Sequence, residues 1–583
     1  MAAIVDFIGQ RLTDADSDTN WSITKIDAGG GTWGLNAINT DSQKQGAGCI
    51  EAQSANTVDK RHIIAYDYNT AAGSPLNLIT TYAGQNIYVW AQHLLKPTAT
   101  GSYSTLPGLA IALSTTSVTE ANTAVYTFYG AENYPGGWVR MVIDPRKPPT
   151  VSGAGYDPTS VSFVGILVTS STAKAVPGAR VDAIDIGSGL IVHGSGTSED
   201  GFGDILFADE GTVNNQYGVL TSLEDTETVL QVNGKLLIGD NTGTNETVFN
   251  DINKIITFAN PKYFNSAGKL VNAIEDDYPS ISFVGNTTSG TFVTLGAQVG
   301  AGDNTRGRNG VTFLGNDDYF INMDFNDGNV NSLYFYGCTV RNFDDPAGVI
   351  NESVTWTATG SHGFFGSVWD KCRELNPDSG VTIRNSTFLN HFFNGLGVAG
   401  AILWNSTTPP DDQIIDIKNC SFIANDNAIF HEESGTYIYD NLSFSDNTFD
   451  IYFNGGVPGQ DLIINATNGT LTTLSATTGT PGDTVTITAT VTLTITGFVD
   501  NSELYGRDAT DATNPISTRF NEESVAGNYS YVYNDPGSQI DLFVMKNKTS
   551  PTDTGYQWLS IRDFTLPSTA QTLQVFQIRE RNT

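Results

Sequence analysis

Residues 414–454 read IIDIKNCSFIANDNAIFHEESGTYIYDNLSFSDNTFDIYFN, and within them one phrase occurs twice, as IKNCSF (417–422) and YDNLSF (439–444). A third copy, IRNSTF, stands at 383–388. Each phrase has an apolar or aromatic residue, a spacer, Asn, a variable position, Ser or Thr, and Phe. Aligned on the last position, the series is Phe283 in SISFVGN, Phe313 in GVTFLGN, Val340 in YGCTVRN, Phe388, Phe422 and Phe444, with successive gaps of 30, 27, 48, 34 and 22 residues. Repeats of a few tens of residues are the signature of a stacked architecture, and the gap of 48 fits two repeats or one with a long excursion. Apolar and polar residues alternate inside each phrase, as in a half-buried strand. Stacking places Phe over Phe inside and Asn over Asn at a corner. Asn tolerates the left-handed conformation there and can hydrogen-bond along the stack. The Asn-x-Ser/Thr triplets at Asn385, Asn419 and Asn441 are therefore read as a ladder and not as sugar acceptors.

Composition agrees with a strand-rich globular chain. Of 583 residues, 39% are hydrophobic and only 16% charged, and no long amphipathic helical pattern is evident. The formal net charge is −33, from 29 basic and 62 acidic residues. Such a surface repels nucleic acid, and it can hold divalent cations. Cys49, Cys338, Cys372 and Cys420 form no CxxC pair, so buried free thiols are expected. The opening MAAIVDFIGQRLTDADSD has neither a basic nor an apolar signal region, and no run of eighteen apolar residues follows. No Sec signal and no membrane insertion are expected.

The phrase and its spacing resemble the right-handed parallel β-helix of pectate-lyase-like enzymes and bacteriophage tailspikes, over roughly residues 201–465. Residues 1–200 differ: NIYVWAQHLL (86–95), AVYTFYGA (124–131), GWVRMVIDP (137–145), VSFVGILVTSS (161–171) and ARVDAIDI (179–186) are long apolar strands. They predict an antiparallel sandwich and resemble a concanavalin-like or carbohydrate-binding jelly roll. Residues 201–260 are expected to cap the first repeat. Residues 466–484 read as a Thr/Gly-rich linker, and VTITATVTLTITGF (485–498), NYSYVYN (528–534), IDLFVMKN (540–547) and WLSIRDFTLP (558–567) as a small antiparallel sandwich filling 466–583. The expected fold is thus all-β in three parts, 1–200, 201–465 and 466–583.

This layout resembles the structural proteins of tailed bacteriophages. The resemblance implies a virion location, other capsid or tail proteins as partners, a homo-oligomer with a trimer favoured, and contact with host surface polysaccharide. The favoured reading is a non-enzymatic appendage or head decoration; the competing one is a tailspike-like polysaccharide depolymerase.

Candidate site residues follow from the residue types. Trp33, Trp138 and Trp404 are candidates to stack on sugar, as are Trp21 and, less suitably inside its apolar strand, Trp90; His391, Phe392 and Phe393 are further surface candidates. A glycosidase needs two carboxylates about 5–9 Å apart, which acids on neighbouring repeats at about 4.8 Å can supply. Asp370, Glu374, Asp416, Glu432 and Asp440 qualify, with Asp416 and Glu432 the leading pair, but solvated edges are the favoured explanation and no catalytic residue is expected. His431-Glu432-Glu433 is not HExxH, because position 435 is Gly. Asp14, Asp16 and Asp18 in DADSDTN resemble the start of a calcium loop, but Thr19 and Lys25 stand where an EF-hand needs Gly and Glu. Calcium is accordingly a weak cofactor candidate and no other cofactor is expected.

Overall fold

The computed structural model describes residues 4–28, 31–55, 60–95, 109–128, 137–170, 176–193, 199–207, 217–223, 228–239, 246–274, 279–285, 290–315, 322–324, 330–343, 354–355, 361–372, 375–376, 381–392, 400–404, 416–468, 475–509, 517–525, 527–546 and 556–579. The protein is all-β, and its described helices are short turns such as Tyr68–Ala72 and Phe202–Phe207. None is long and apolar enough to cross a membrane, a statement that does not bear on β-barrels. Two compact units divide the chain: residues 1–297, 309–333 and 340–360 form the first, and 298–308, 334–339 and 361–583 the second.

In the first unit, the strands of residues 4–193 pair antiparallel and share one core. Asn86–His93 and Ala110–Ser114 are buried at every position, as strands covered on both faces must be. The longest strand, Pro177–His193, has two roles. Its body runs antiparallel to Ile4–Thr13 and Asn86–His93, while Gly189 to Val192 pair parallel with Lys235 to Ile238. Gly189 permits this, because a Cβ there would stand 1.8 Å from the Lys235 carbonyl oxygen.

Lys235–Ile238, Ser280–Phe283 and Asn322–Asp324 then continue as a parallel ladder. Phe283 therefore pairs with Ile238, whereas Phe313 pairs with Ile256 in a different sheet. The 30-residue gap between the two phrases is not one repeat, because they lie on different faces. Phe202 is fully buried, with its ring 5.0 Å from Phe249 and 6.2 Å from Phe313. Residues 262–272, expected among the repeats, instead form a hairpin that pairs with the 123–128 strand of the N-terminal core.

In the second unit each repeat supplies strands to three parallel sheets. Ser361–Phe365, Val381–Arg384, Asp416–Lys418, Gly435–Asp440, Asp461–Thr467 and Thr484–Thr496 follow one another in the first. Val368–Cys372, Thr387–Leu389, Ser421–Ile423 and Ser443–Ser445 form the second, and Leu375–Asn376, Ile402–Trp404, Asn427–His431, Phe449–Phe453 and Ala476–Thr478 the third. Trp369 pairs with Phe388, so the 48-residue gap holds two repeats. Phe388, Phe422 and Phe444 stack at 5.2 Å between successive centroids, with Trp369 6.4 Å beyond Phe388. That spacing follows the strand separation of about 4.8 Å, so each ring contacts the next along the axis.

The residues that follow the strands of the first sheet sit at left-handed corners. Gly337, Gly366, Asn385, Asn419, Asn441 and Asn468 all have positive φ, between 53° and 65°. Each of the amides of Asn385, Asn419 and Asn441 donates to the carbonyl of the next repeat, at Lys418, Asp440 and Thr467. The variable slot after the corner is also structural: the Cys420 thiol donates to the Lys418 carbonyl and the Ser386 hydroxyl to that of Arg384.

Pairing does not stop at 465. Asp461–Thr467 pairs parallel with residues 484–490, and Ala476–Thr478 pairs with Ile451–Phe453, so the expected linker forms one more repeat. The same strand then turns antiparallel to Asn528–Tyr533 and enters a C-terminal core of Val491, Leu493, Leu504, Ile540 and Leu542.

Candidate functional site

The chemistry-bearing residues of the second unit fall into an interior set and a corner set. In the interior, His431 is fully buried, its Nε2 is hydrogen-bonded to the Tyr439 hydroxyl, and its ring lies 4.6 Å from that of Tyr437. Burial lowers its pKa to about 3 and that of His391 to about 4. Both are neutral rings at physiological pH. The His391 amide donates to Asn425 Oδ1 at 3.1 Å, Asn425 donates to Asn447 Oδ1 at 3.0 Å, and Asn447 to Asp450 Oδ1 at 2.9 Å. This row satisfies buried polar groups from repeat to repeat.

Glu432 is exposed, and partial burial together with Glu433 holds its carboxyl above the ordinary value. Asp416 opens a strand of the first sheet, whereas Glu432 follows a strand of the third. The two residues of the leading pair therefore lie at strands of different sheets. Asp370 instead accepts a hydrogen bond from Asn390 at 2.8 Å, and Asp440 accepts one from Asn468 at 3.2 Å. Glu374 and Phe393 lie outside the described residues, and Phe392 is exposed.

At the corner, residues 298–308 form a strap with the paired segments Ala297–Val299 and Arg306–Arg308. Two glycines let its backbone approach: a Cβ on Gly307 would stand 1.8 Å from the Gly337 nitrogen, and one on Gly366 2.9 Å from the Gly307 nitrogen. The strap is tied by corner amides, with Asn385 Nδ2 donating to the Thr305 carbonyl at 2.7 Å and Asn419 Nδ2 to that of Asp303 at 2.9 Å. Asn441 Nδ2 in turn donates to Asn419 Oδ1 at 2.8 Å. The Asp303 carboxylate lies 2.6 Å from Arg384 Nη1 and 3.5 Å from Lys418 Nζ. Sequence reading missed this arrangement. Its only local trace is the basic residue directly before the corner Asn in IRN (383–385) and IKN (417–419).

In the first unit, Trp33 is 3% exposed, stacked on the His62 ring at 5.2 Å and covered by Gly178, where a Cβ would meet the indole at 2.6 Å. It offers no face to a sugar, which corrects the expectation for it; Trp21 and Trp90 are buried as well. Trp138 is half-buried and donates through Nε1 to Ser42 Oγ at 3.1 Å. Trp404 ends a strand in register with His431, and its side chain lies outside the described part.

In the candidate calcium loop, two of the carboxylates make turn hydrogen bonds. Asp16 Oδ1 accepts the amides of Ala47 at 2.6 Å and Gly48 at 2.8 Å, clasping the 46–48 turn, and Asp14 Oδ1 accepts the Asp16 amide at 3.3 Å. Among the described residues no three His, Cys, Asp or Glu side chains gather as a metal site would require. All four cysteines are free and buried, and burial raises the thiols of Cys49 and Cys420 to about 12.

No family model matches the chain. No curated protein matches it either. Among solved structures, a protein of unknown function from Shewanella oneidensis MR-1 aligns at 10% identity over 32% of this chain and 87% of that one, with a TM-score of 0.16. The catalytic domain of a GH87 alpha-1,3-glucanase aligns at 10% identity with tetrasaccharides bound (82% of this chain, 99% of that one, TM-score 0.15) and at 9% with nigerose bound (83% and 98%, TM-score 0.15). Likenesses of this size carry no argument about fold or activity.

Proposed function

We propose that this chain is a structural protein of a tailed-phage particle, a surface appendage or decoration. Its repeats wind as a right-handed parallel β-helix, and a jelly-roll-like sandwich and a small C-terminal β domain flank them. The observation that supports this reading is where the polar side chains of the repeat are spent. Corner asparagines tie repeat to repeat, and His391 and His431 are neutral core residues. A stack joined at every level by backbone ladders, ring stacks and corner amides is a stiff spacer. Three copies assemble in the particle, held by other capsid or tail proteins, and the assembly contacts host surface polysaccharide.

Antibody labelling of purified particles, imaged by electron microscopy, tests the location. Discrete label on the head or tail is expected, and particles that lack the protein would sink the reading. Light scattering tests the trimer, and a monomer at micromolar concentration would remove it.

One observation favours the competing depolymerase reading. Glu432 is exposed and its carboxyl is held above its ordinary value, which is what a glycosidase general acid needs. New reducing ends released from host polysaccharide, and lost in Glu432→Gln, would establish an enzyme; no release is expected.

A further inference from the structure

The strap and the corner beneath it gather cations on an acidic chain. The chain carries −33, yet Arg308, Arg306, Arg384 and Lys418 belong to consecutive levels of one corner. The levels are fixed by contacts already described. Gly337, if it bore a Cβ, would meet the Arg308 amide nitrogen at 2.8 Å, and Gly366 would meet Arg306 Cα at 3.6 Å. Arg384 precedes the next corner, Asn385, and pairs in register with Lys418, which precedes Asn419. Arg306 and Arg308 are both exposed and, two residues apart on one extended segment, point to the same side. Arg384 and Lys418 are partly exposed, and the acid between them is Asp303, itself 57% exposed. Cations are thus stepped along the axis, Arg384 and Lys418 at the strand separation of about 4.8 Å and Arg306 and Arg308 at roughly 6.5 Å, two residues of an extended segment. On the following level the row ends at Asp440, 3.9 Å from Lys418 Nζ.

A second row runs beside it. Thr387, Ser421 and Ser443 are in register on the next strand of each repeat, beside the inward Phe388, Phe422 and Phe444 and so directed outward. Ser443 Oγ donates to Ser421 Oγ at 2.8 Å, which leaves the row acceptor capacity.

We infer that this corner binds a linear, carboxylate-bearing polysaccharide, laid along the axis with its acid groups on the cations and its hydroxyls beside the Thr/Ser row. Charge complementarity selects an anion for a row of cations on so acidic a chain. The straight repetition selects a polymer with a regular repeat over a folded acidic protein, and the hydroxyl row selects a sugar over a polyphosphate. The exposed Asp303 bridge holds the cations in place in the absence of ligand and, as a solvated ion pair, is cheap to displace. This inference deepens the glycan-contact part of the proposed function and rests on it.

The test titrates the intact protein with polygalacturonate and with the same polymer fully methyl-esterified, by calorimetry at low and at high salt, and in parallel with host surface polysaccharide. Binding of the acid form only, weakening as salt rises, is expected. Arg306→Glu with Arg308→Glu should weaken it by roughly tenfold or more, and the paired Lys replacements should retain most of it. Lys418→Gln, a change away from the strap, should weaken it as well, which guards against a strap that merely detaches in the Glu pair. Equal binding of the esterified polymer, or unchanged affinity in the Glu pair, overturns the site. If host polysaccharide binds without dependence on these cations, the site falls and the glycan-contact reading stands. If no glycan binds, both fall. If the Glu pair instead dissolves an oligomer in light scattering while no acidic glycan binds, the cations serve a second copy of the chain and the inference is wrong.

Discussion

The two-sheet core of the first unit and the repeat stack of the second bury polar groups in different ways. In the first, the Arg140 side chain is buried between charges and rings: Asp185 lies 3.6 Å away, and the guanidinium sits about 5 Å above Tyr88 and Trp90. Arg11 reaches the same Asp185 at 3.2 Å. Asp182 nearby accepts the amides of Lys44, Gln45 and Ala183, and burial still raises its pKa to about 6. In the stack the buried polar groups are chiefly neutral histidines, amides and hydroxyls, and the buried carboxylates of Asp370 and Asp450 accept from asparagine side chains. A closed two-sheet core can surround one charge with several partners gathered from distant strands. A repeat offers each level only the levels above and below, so groups that both donate and accept are the ones that propagate.

Acid should separate the two regions most. His362, His391 and His431 in the stack have pKa values lowered to about 4, 4 and 3 by burial. Below the unfolded value of about 6.5 the unfolded chain takes up protons that the folded stack refuses, so stability is full above that pH and falls as pH drops toward 4. The loss at pH 5 is about 2 kcal/mol per histidine. In the two-sheet core His62 and His93 act in the same sense, but Asp182 and Asp185, whose carboxyls burial raises, oppose them, because between pH 6 and its unfolded value folded Asp182 holds an extra proton. Urea unfolding at pH 7 and pH 5, followed by peptide-resolved labelling, should show the stack shifting further. An equal shift in both regions would break the comparison.

Single substitutions sharpen it. Asp185→Ala leaves Arg140 buried without its counter-charge and should cost about 3–5 kcal/mol in the first unit. Phe422→Ala removes the middle ring of the Phe388–Phe444 stack and should cost about as much, 3–5 kcal/mol, in the second. The distribution should differ: peptides of the neighbouring levels should lose protection in the Phe422 variant, while the charge variant should loosen the 41–48 segment through Gln45, which donates to Asp185. A uniform loss over the whole second unit would contradict nearest-neighbour coupling.

A smaller effect is expected at the corners. Asn441 holds φ of 54° and bonds Asn419. Asn441→Ala should cost about 1–2 kcal/mol for the left-handed backbone, and Asn441→Gly should recover part of that, since Gly accepts the conformation but not the bond. Unfolding midpoints of the pair decide whether backbone or amide matters more.

This gradation also explains what could be read from sequence. The corner and the Phe stack were legible because each is local: Asn before a half-buried strand is sufficient. Trp369 was not marked as its own level, since VWDKC carries Trp for Phe and puts Lys371 in the left-handed place that Asn390 occupies one repeat later. Phe283 was misaligned because a short alternating strand looks the same on every face of a repeat. The burial of Trp33 depends on Gly178, and the charge cluster on residues 11, 140 and 185, all far apart in the chain. The strap escaped notice because it is held through its own carbonyls, by asparagines 80 and more residues away.

The smallest effect is the most discriminating, because it sets an ion pair of the stack against that of the core. Asp303 meets Arg384 at 2.6 Å, closer than Asp185 meets Arg140 at 3.6 Å. Distance alone would rank the Asp303 pair as the stronger. Solvent reverses the order: the Asp303 side chain is 57% exposed, whereas both Asp185 and Arg140 are buried, so water already stabilises the separated Asp303 charges. Asp303→Ala should therefore change stability by about 0–1 kcal/mol, and salt should shrink even that. The strap should stay in place, since Asn385 and Asn419 bind its main-chain oxygens rather than the lost carboxylate. Urea midpoints at low and high salt, with exchange protection of residues 298–308, measure both. A loss comparable to that of Asp185→Ala would mean that the corner charges are structural in the same sense as those of the core.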